Sequence, residues 1–208
     1  MREAKIDRLL AAAVHQAIAD LLPNRLEFYE SYLRPRGWRE DSVNLAPISA
    51  VLSFLRHEDE GTYDEVMTRA GHYAARWVHT ERPWGVRLIS RLVPSWLRLR
   101  RLSDVARRNL QRSYRGTRVR TTVKRGTVAV EIHGSIFCRV RDASDTLLCR
   151  YYVALFEELL MLDGFALGST AIDRCRAHTG GTCAFRVETG GRLSASDGSA
   201  AAQPHHGS

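Results

Sequence analysis

No stretch of this 208-residue chain reaches the roughly 18 uncharged apolar residues that a membrane-spanning helix requires. The most apolar run, Thr146 to Leu167, is interrupted by Arg150, Glu157, Glu158 and Asp163. The N-terminus carries Glu3, Asp7 and Arg8 within a helical pattern and has no continuous apolar segment of the secretory kind. A cytoplasmic location is therefore expected. Catalytic signatures are missing as well. Gly180-Gly181 falls in a hairpin and not ahead of a helix, so it is no phosphate loop. The absence of G-x-G-x-x-G counts against an autonomous hydride-transferring reductase, and no G-x-S-x-G elbow occurs. Glu157 and Glu158 are neighbours on a helix, face different directions and make a poor catalytic pair. A self-sufficient enzyme is not expected.

Acidic residues are scarce in one region. Between Arg82 and Arg125 there are fourteen Lys or Arg and a single acid, Asp104. That segment carries +13 within a chain of net charge +8, which leaves −5 for the rest. Three readings apply: a solvated helix and hairpin face, an anionic membrane surface or acidic partner, and nucleic acid. Trp84, Leu88, Ile89, Leu92, Val93, Trp96, Leu97 and Leu99 interleave with arginines as in an interfacial helix. Nucleic acid is disfavoured, because no helix-turn-helix or zinc-finger pattern accompanies the charge.

What is present fits one globular domain, 44% hydrophobic and 26% charged. An amphipathic helix is predicted over 2–22, with Ile6, Leu9, Leu10, Val14, Ala17, Ile18, Leu21 and Leu22 on one face, broken by Pro23-Asn24. Further helices are predicted with Leu26, Tyr29, Tyr32 and Leu33 in register, ending before Pro35 and Gly37, then from Pro47, and from Thr62, whose spacing to Glu65 suits a capping box. Residues 83–114 read as helix in two pieces, broken near Pro94 or Ser103. The period then changes to alternation. Val119, Thr121 and Val123, then Val128, Val130 and Ile132, predict a hairpin around Lys124-Arg125-Gly126. A third strand is predicted over 135–140, a helix over 146–163, and a second hairpin from Leu167–Arg176 and Thr182–Glu188 through His178-Thr179-Gly180-Gly181. The class is α+β, with N-terminal helices (1–114) packed on a twisted antiparallel sheet. The domain spans 1–190, and the Ser-, Ala- and Gly-rich tail 191–208 is expected to be disordered.

The four cysteines are Cys138, Cys149, Cys175 and Cys183. Cys175 and Cys183 flank the tip of the last hairpin, Cys149 heads the preceding helix, and Cys138 ends the strand before it. Three converging thiolates with one further ligand would make a tetrahedral zinc site. The same residues would also suit buried small hydrophobes, a redox disulfide between Cys175 and Cys183, or four unrelated positions.

The stretch from Gly134 to Glu188 resembles the vinyl-4-reductase domain family. The likeness rests on Cys149 with Tyr151 and Tyr152 at a helix head, on Asp163-Gly164-Phe165, and on Cys175, Gly180, Gly181, Cys183, Phe185 and Val187. The resemblance implies a fold similar to TRAPP transport-complex subunits, often dimeric. In sensor members three cysteines and a glutamate hold zinc. The cysteines fall on Cys149, Cys175 and Cys183, but Ile172 stands where the glutamate would be, so Cys138, Asp173 or His178 would have to serve. Free-standing members imply a role as accessory or carrier protein in (bacterio)chlorophyll synthesis, hence in photosynthesis, with a vinyl-bearing tetrapyrrole as ligand and a structural zinc. The alternatives are a stand-alone sensor for an aromatic or lipid ligand, an adaptor like a transport-tethering subunit, or a reductase with an external donor. A homodimer is expected, with peripheral membrane contact through 82–125 as an option. Candidate pocket residues are His72, Tyr73, Trp77 and Trp84, an aromatic stripe more often found in a core. His133 is either a strand-end residue or an axial ligand to a pigment metal.

Overall fold

The computed structural model describes residues 5–33, 42–58, 61–83, 93–138, 147–179 and 181–190. The tail 191–208 and residues 84–92, with Trp84, Leu88, Ile89 and Leu92, lie outside them.

The described residues open with a short strand, β1 (Lys5–Asp7), where helix was expected. β1 pairs antiparallel with β2 (Ser42–Asn44), and Ile6 also bridges to Tyr114. Helix α1 (Arg8–Leu21) starts where Asp7, in an extended conformation, accepts the Leu9 N–H at 3.0 Å and satisfies an otherwise orphaned donor. Its stripe of Leu10, Ala13, Val14, Ala17 and Ile18 is fully buried. A 3-10 turn (Pro23–Arg25) leads to α2 (Leu26–Leu33). Helix α3 (Leu45–Leu55) follows, with Pro47 in its first turn. Helix α4 (Thr62–Glu81) is capped by Gly61 at φ 89° and not by the expected Thr62–Glu65 box, with no side-chain bond at the cap. Asp64 and Glu65 in its first turn still suit the helix dipole.

Helix α5 (Ser95–Ser113) runs unbroken through Ser103, whose hydroxyl donates back to the Leu99 carbonyl at 2.8 Å. Of the two expected break points, Ser103 is therefore not one. β3 (Arg118–Lys124) and β4 (Thr127–His133) form the predicted hairpin, closed by Arg125 and Gly126 with φ of 49° and 80°. Two positive φ values in a two-residue loop match the right-handed strand twist. No strand forms at Ser135–Cys138. Gly134, at φ 69°, turns the chain sharply against Gly116, where a Cβ would sit 2.2 Å from the carbonyl oxygen.

Helix α6 (Arg150–Leu162) is buried on nearly every side from Tyr151 to Leu160. It lies against α4 so closely that a Cβ on Gly71 would meet both the Ala154 Cβ and the Tyr151 carbonyl oxygen at 2.7 Å. β5 (Ala166–Arg174) and β6 (Cys183–Gly190) complete a four-stranded antiparallel sheet in the order β3-β4-β6-β5. The connection between them contains a one-turn helix, α7 (Arg176–Thr179), in place of a simple turn. Val128, Val130, Ile132, Phe185 and Val187 form the buried face of the sheet, and Phe156 of α6 meets Phe185 edge-on at 5.5 Å. The α+β class is as expected.

The basic segment is an exposed face. Arg100, Arg101, Arg108, Arg112, Arg115, Arg118, Arg120 and Lys124 are all solvent-facing. Arg98 departs from this: it is buried, pairs with Asp163 at 3.3 Å and lies 4.4 Å over the Phe165 ring, while Arg82 and Arg107 are half-buried. Arg82 reaches the same carboxylate at 3.2 Å, so Asp163 ties the ends of α4 and α6 to α5. No helix of the described residues is long and apolar enough to cross a membrane.

Candidate metal centre

The bend after β4, the head of α6, the end of β5 and the start of β6 meet at one point, and each contributes a cysteine. Cys138 Sγ lies 3.3 Å from Cys183 Sγ and 3.7 Å from Cys175 Sγ. These three sulfurs all fall within 4.8 Å of one another and all are buried. Cys149, the N-cap of α6, interacts with the thiols of Cys175 and Cys183. All four thiols are free. In a tetrahedral thiolate site with metal–sulfur bonds of ~2.3 Å, sulfurs are spaced about 3.8 Å apart. The observed separations are near that edge length and well beyond a disulfide bond of about 2.05 Å.

The surroundings supply what thiolates need. The Arg176 N–H donates to Cys183 Sγ at 3.5 Å, and the Ala177 N–H is directed at Cys175. Both donors come from α7, the turn of helix between β5 and β6. Backbone N–H donors around ligating sulfurs orient them and spread their charge. Hydrogen bonds from Cys138, Cys149 and Cys183 hold the Cys175 thiol far below its ordinary pKa, against the opposing effect of burial. The same bonds to Cys175 and Cys183, with burial, push Cys138 well up. Tyr63 of α4 donates to the Leu148 carbonyl at 3.0 Å and fixes the approach to Cys149.

The remaining sequence candidates separate. Asp173 is exposed and engaged by Arg186 at 2.7 Å, and Ile172 is half-buried on β5, so neither faces a metal with the cysteines. The His178 side chain lies outside the described residues. Tyr73 and Trp77 stack on α4 at 5.7 Å, with the Tyr73 hydroxyl bonded to Asp20. His72 is half-buried and lines a different cavity of about 690 Å³ among Asp64, Glu65, Arg69, Arg150 and Glu157. Burial keeps its pKa below the usual histidine range. His133 is exposed at the end of β4. Sequence reasoning missed the Arg82–Asp163–Arg98 ion cluster and a second cavity of about 720 Å³ between the first turn of α5 and the end of the sheet. The only signal for either was Asp163-Gly164-Phe165 beside an arginine-rich helix.

No family model matches this chain, and no curated protein matches it. Solved structures do. An H-NOX domain from Shewanella oneidensis in the Fe(II)CO ligation state superposes with TM-score 0.55 at 9% identity, covering 89% of this chain and 99% of that one. A triply substituted S. oneidensis H-NOX protein in the Fe(II) state gives 0.51 at 11% identity over 88% and 96%. A doubly substituted Tt H-NOX gives 0.50 at 12% identity over 90% and 96%. These likenesses correct the vinyl-4-reductase, TRAPP-like assignment, and with it the role in bacteriochlorophyll synthesis and photosynthesis. The tetrapyrrole loses its basis with that resemblance, and the structural zinc is corrected as well: the cysteine placement that first suggested it yields a cluster that does not by itself name zinc.

The neighbours' iron raises its own question. Haem-type iron needs an axial His, Cys, Met or Tyr beside an apolar cleft. The residues described here do not fit such a group. His15 is paired with Glu30 at 2.7 Å, His57 and His133 are exposed, and the half-buried His72 lines a cavity walled by the charged Asp64, Glu65, Arg69, Arg150 and Glu157 and not an apolar cleft. The space beside α6 is filled by Phe137, Tyr151 and Tyr152, whose rings meet at 5.0 to 5.8 Å. The cysteines face one another and not a cleft. What this chain shares with the H-NOX domains is the architecture.

Proposed function

We propose that this chain is a small-molecule sensor domain on an H-NOX-like scaffold, whose central site holds one thiophilic metal ion on Cys138, Cys149, Cys175 and Cys183. The observation that carries the metal is the convergence of three buried sulfurs within 4.8 Å, with the fourth cysteine adjoining. The sensor reading is supported by the shared fold, since a neighbour binds CO at its iron. In this chain the ion would be held by thiolates on α6, on the bend after β4 and on both strands of the last hairpin. Binding releases protons from the thiols and locks that hairpin onto α6; loss of the ion frees it. Four thiolates around a divalent ion leave excess negative charge in a buried place, which the N–H donors of Arg176 and Ala177 offset.

The test is metal analysis of wild-type protein beside a Cys175→Ser, Cys183→Ser double variant, with cobalt(II) as an optical probe after anaerobic reconstitution. The expected result is about one ion per chain and intense sulfur-to-cobalt absorption, both lost in the variant. Wild-type protein that takes up no stoichiometric metal either way would remove the site.

A further inference from the structure

The cavity of about 720 Å³ at the end of the sheet is a second built feature, far in character from the thiol cluster. Its volume falls within the ~300–1,000 Å³ range of small-molecule sites. Trp96, Leu99, Val123 and Phe165 give it apolar walls, and the glycines Gly126 and Gly190 open its floor to the backbone. Trp96 is 63% exposed, the most exposed large hydrophobic side chain among the described residues. Phe165 is held in place: Arg98 lies over its ring at 4.4 Å and is itself paired with Asp163.

The polar side chains of known charge in the cavity are both cationic, Arg100 and Arg125. Both are exposed, and neither has a carboxylate partner among the described residues. Arg125 is the one non-glycine residue of the described chain with positive φ, 49°. The two-residue turn sets that conformation, and Arg125 lines the cavity from it. The first turn of α5 also opens here, behind Pro94 and without a side-chain cap, so its backbone dipole adds positive potential.

We propose that this cavity binds a soluble organic anion with a flat apolar body, its carboxylate or sulfonate paired with Arg100 and Arg125 and its body against Trp96, Leu99, Val123 and Phe165. The assignment deepens the small-molecule sensor reading by naming the ligand class, and it does not depend on the metal. Two guanidiniums at the mouth select charge, and the apolar wall selects shape.

The probe is 8-anilinonaphthalene-1-sulfonate, followed by fluorescence and calorimetry, with neutral N-phenyl-1-naphthylamine as the uncharged comparison. The full chain should bind the sulfonate at one saturable site and the neutral compound roughly tenfold more weakly or worse. Arg100→Gln, Arg125→Gln together should weaken the sulfonate about tenfold or more while sparing the neutral compound. Val123→Trp should fill the cavity and abolish both, with circular dichroism matching wild type. Sulfonate affinity within about twofold of wild type in either variant overturns the proposal, as does a non-saturating signal or one restored only by anionic vesicles. Metal content is measured on the same samples. Sulfonate binding lost by substitution with metal retained supports this site alone, and a metal-free protein that still binds the sulfonate at one site sinks only the metal reading.

Discussion

Gly71→Ala should destabilise this domain, although alanine is the better helix former. The helical preference favours alanine by about 1 kcal/mol. Against it stands the contact with α6. The added Cβ would lie 2.7 Å from the Ala154 Cβ, 2.7 Å from the Tyr151 carbonyl oxygen and 3.0 Å from the Leu155 nitrogen. Carbon contacts are optimal near ~3.5–4.0 Å, so α4 and α6 would have to part by roughly 1 Å. Two of the three obstacles are backbone, which no rotamer change can move. Both helices are buried at this crossing, so separation also opens voids among Ala70, Ala74, Tyr151 and Leu155. Overpacking of this kind costs about 1–3 kcal/mol or more. The net loss should be about 1–2 kcal/mol, or roughly 2–8 °C in Tm for a domain of this size. Thermal and urea unfolding of Gly71→Ala measure it, with Gly168→Ala as control, since a Cβ there makes only ordinary contacts at 3.5 Å or beyond. A Gly71→Ala protein as stable as wild type would refute the close helix crossing.

Two further predictions concern charge. Asp163→Asn should cost about 3–5 kcal/mol in urea unfolding, because it leaves the buried Arg98 guanidinium without its counter-charge; a loss below about 1 kcal/mol would mean that solvent already screens the pair. His72 predicts a pH effect. Burial, opposed by Glu158 and Glu157 and aided by Arg76 and Arg69, lowers its folded-state pKa below 6.5. The unfolded chain therefore takes up this proton first. The imidazole's contribution is intact above the unfolded pKa and is lost as pH falls from there toward the folded value. His72→Gln should lose less stability than wild type over that interval in pH-dependent thermal melts, and parallel curves would contradict the assignment.

The hairpins were legible because alternation of apolar and polar residues survives in a half-buried sheet, and Lys124-Arg125-Gly126 marks the turn. The long helices were legible from their stripes. β1 was not, because three residues carry no period and Ile6 also fits the helical stripe. The strand expected at 135–140 fails at a backbone angle, φ 69° at Gly134, that hydropathy does not encode. That same bend swings Cys138 inward. Sequence reasoning could bring Cys175 and Cys183 together through their hairpin, but it left the fourth ligand open among Cys138, Asp173 and His178. The family assignment went astray for a related reason. A cysteine at a helix head followed by two across a hairpin describes a local packing solution, and unlike folds can share it. The cavity at the end of the sheet was invisible, since its walls come from four distant segments.

The strand order has a consequence for biosynthesis. β6 comes later in the sequence than β5, yet it is inserted between β4 and β5. As the polypeptide leaves the ribosome, the inner edges of both neighbours stay open until residues 183–190 have cleared the exit tunnel. At translation speeds of about 5–20 residues per second this interval is short, but in it a nascent chain presents two ready templates for illicit pairing. Closure of the sheet by β6 ends that exposure, and the same residues deliver Cys183 to the other three thiols.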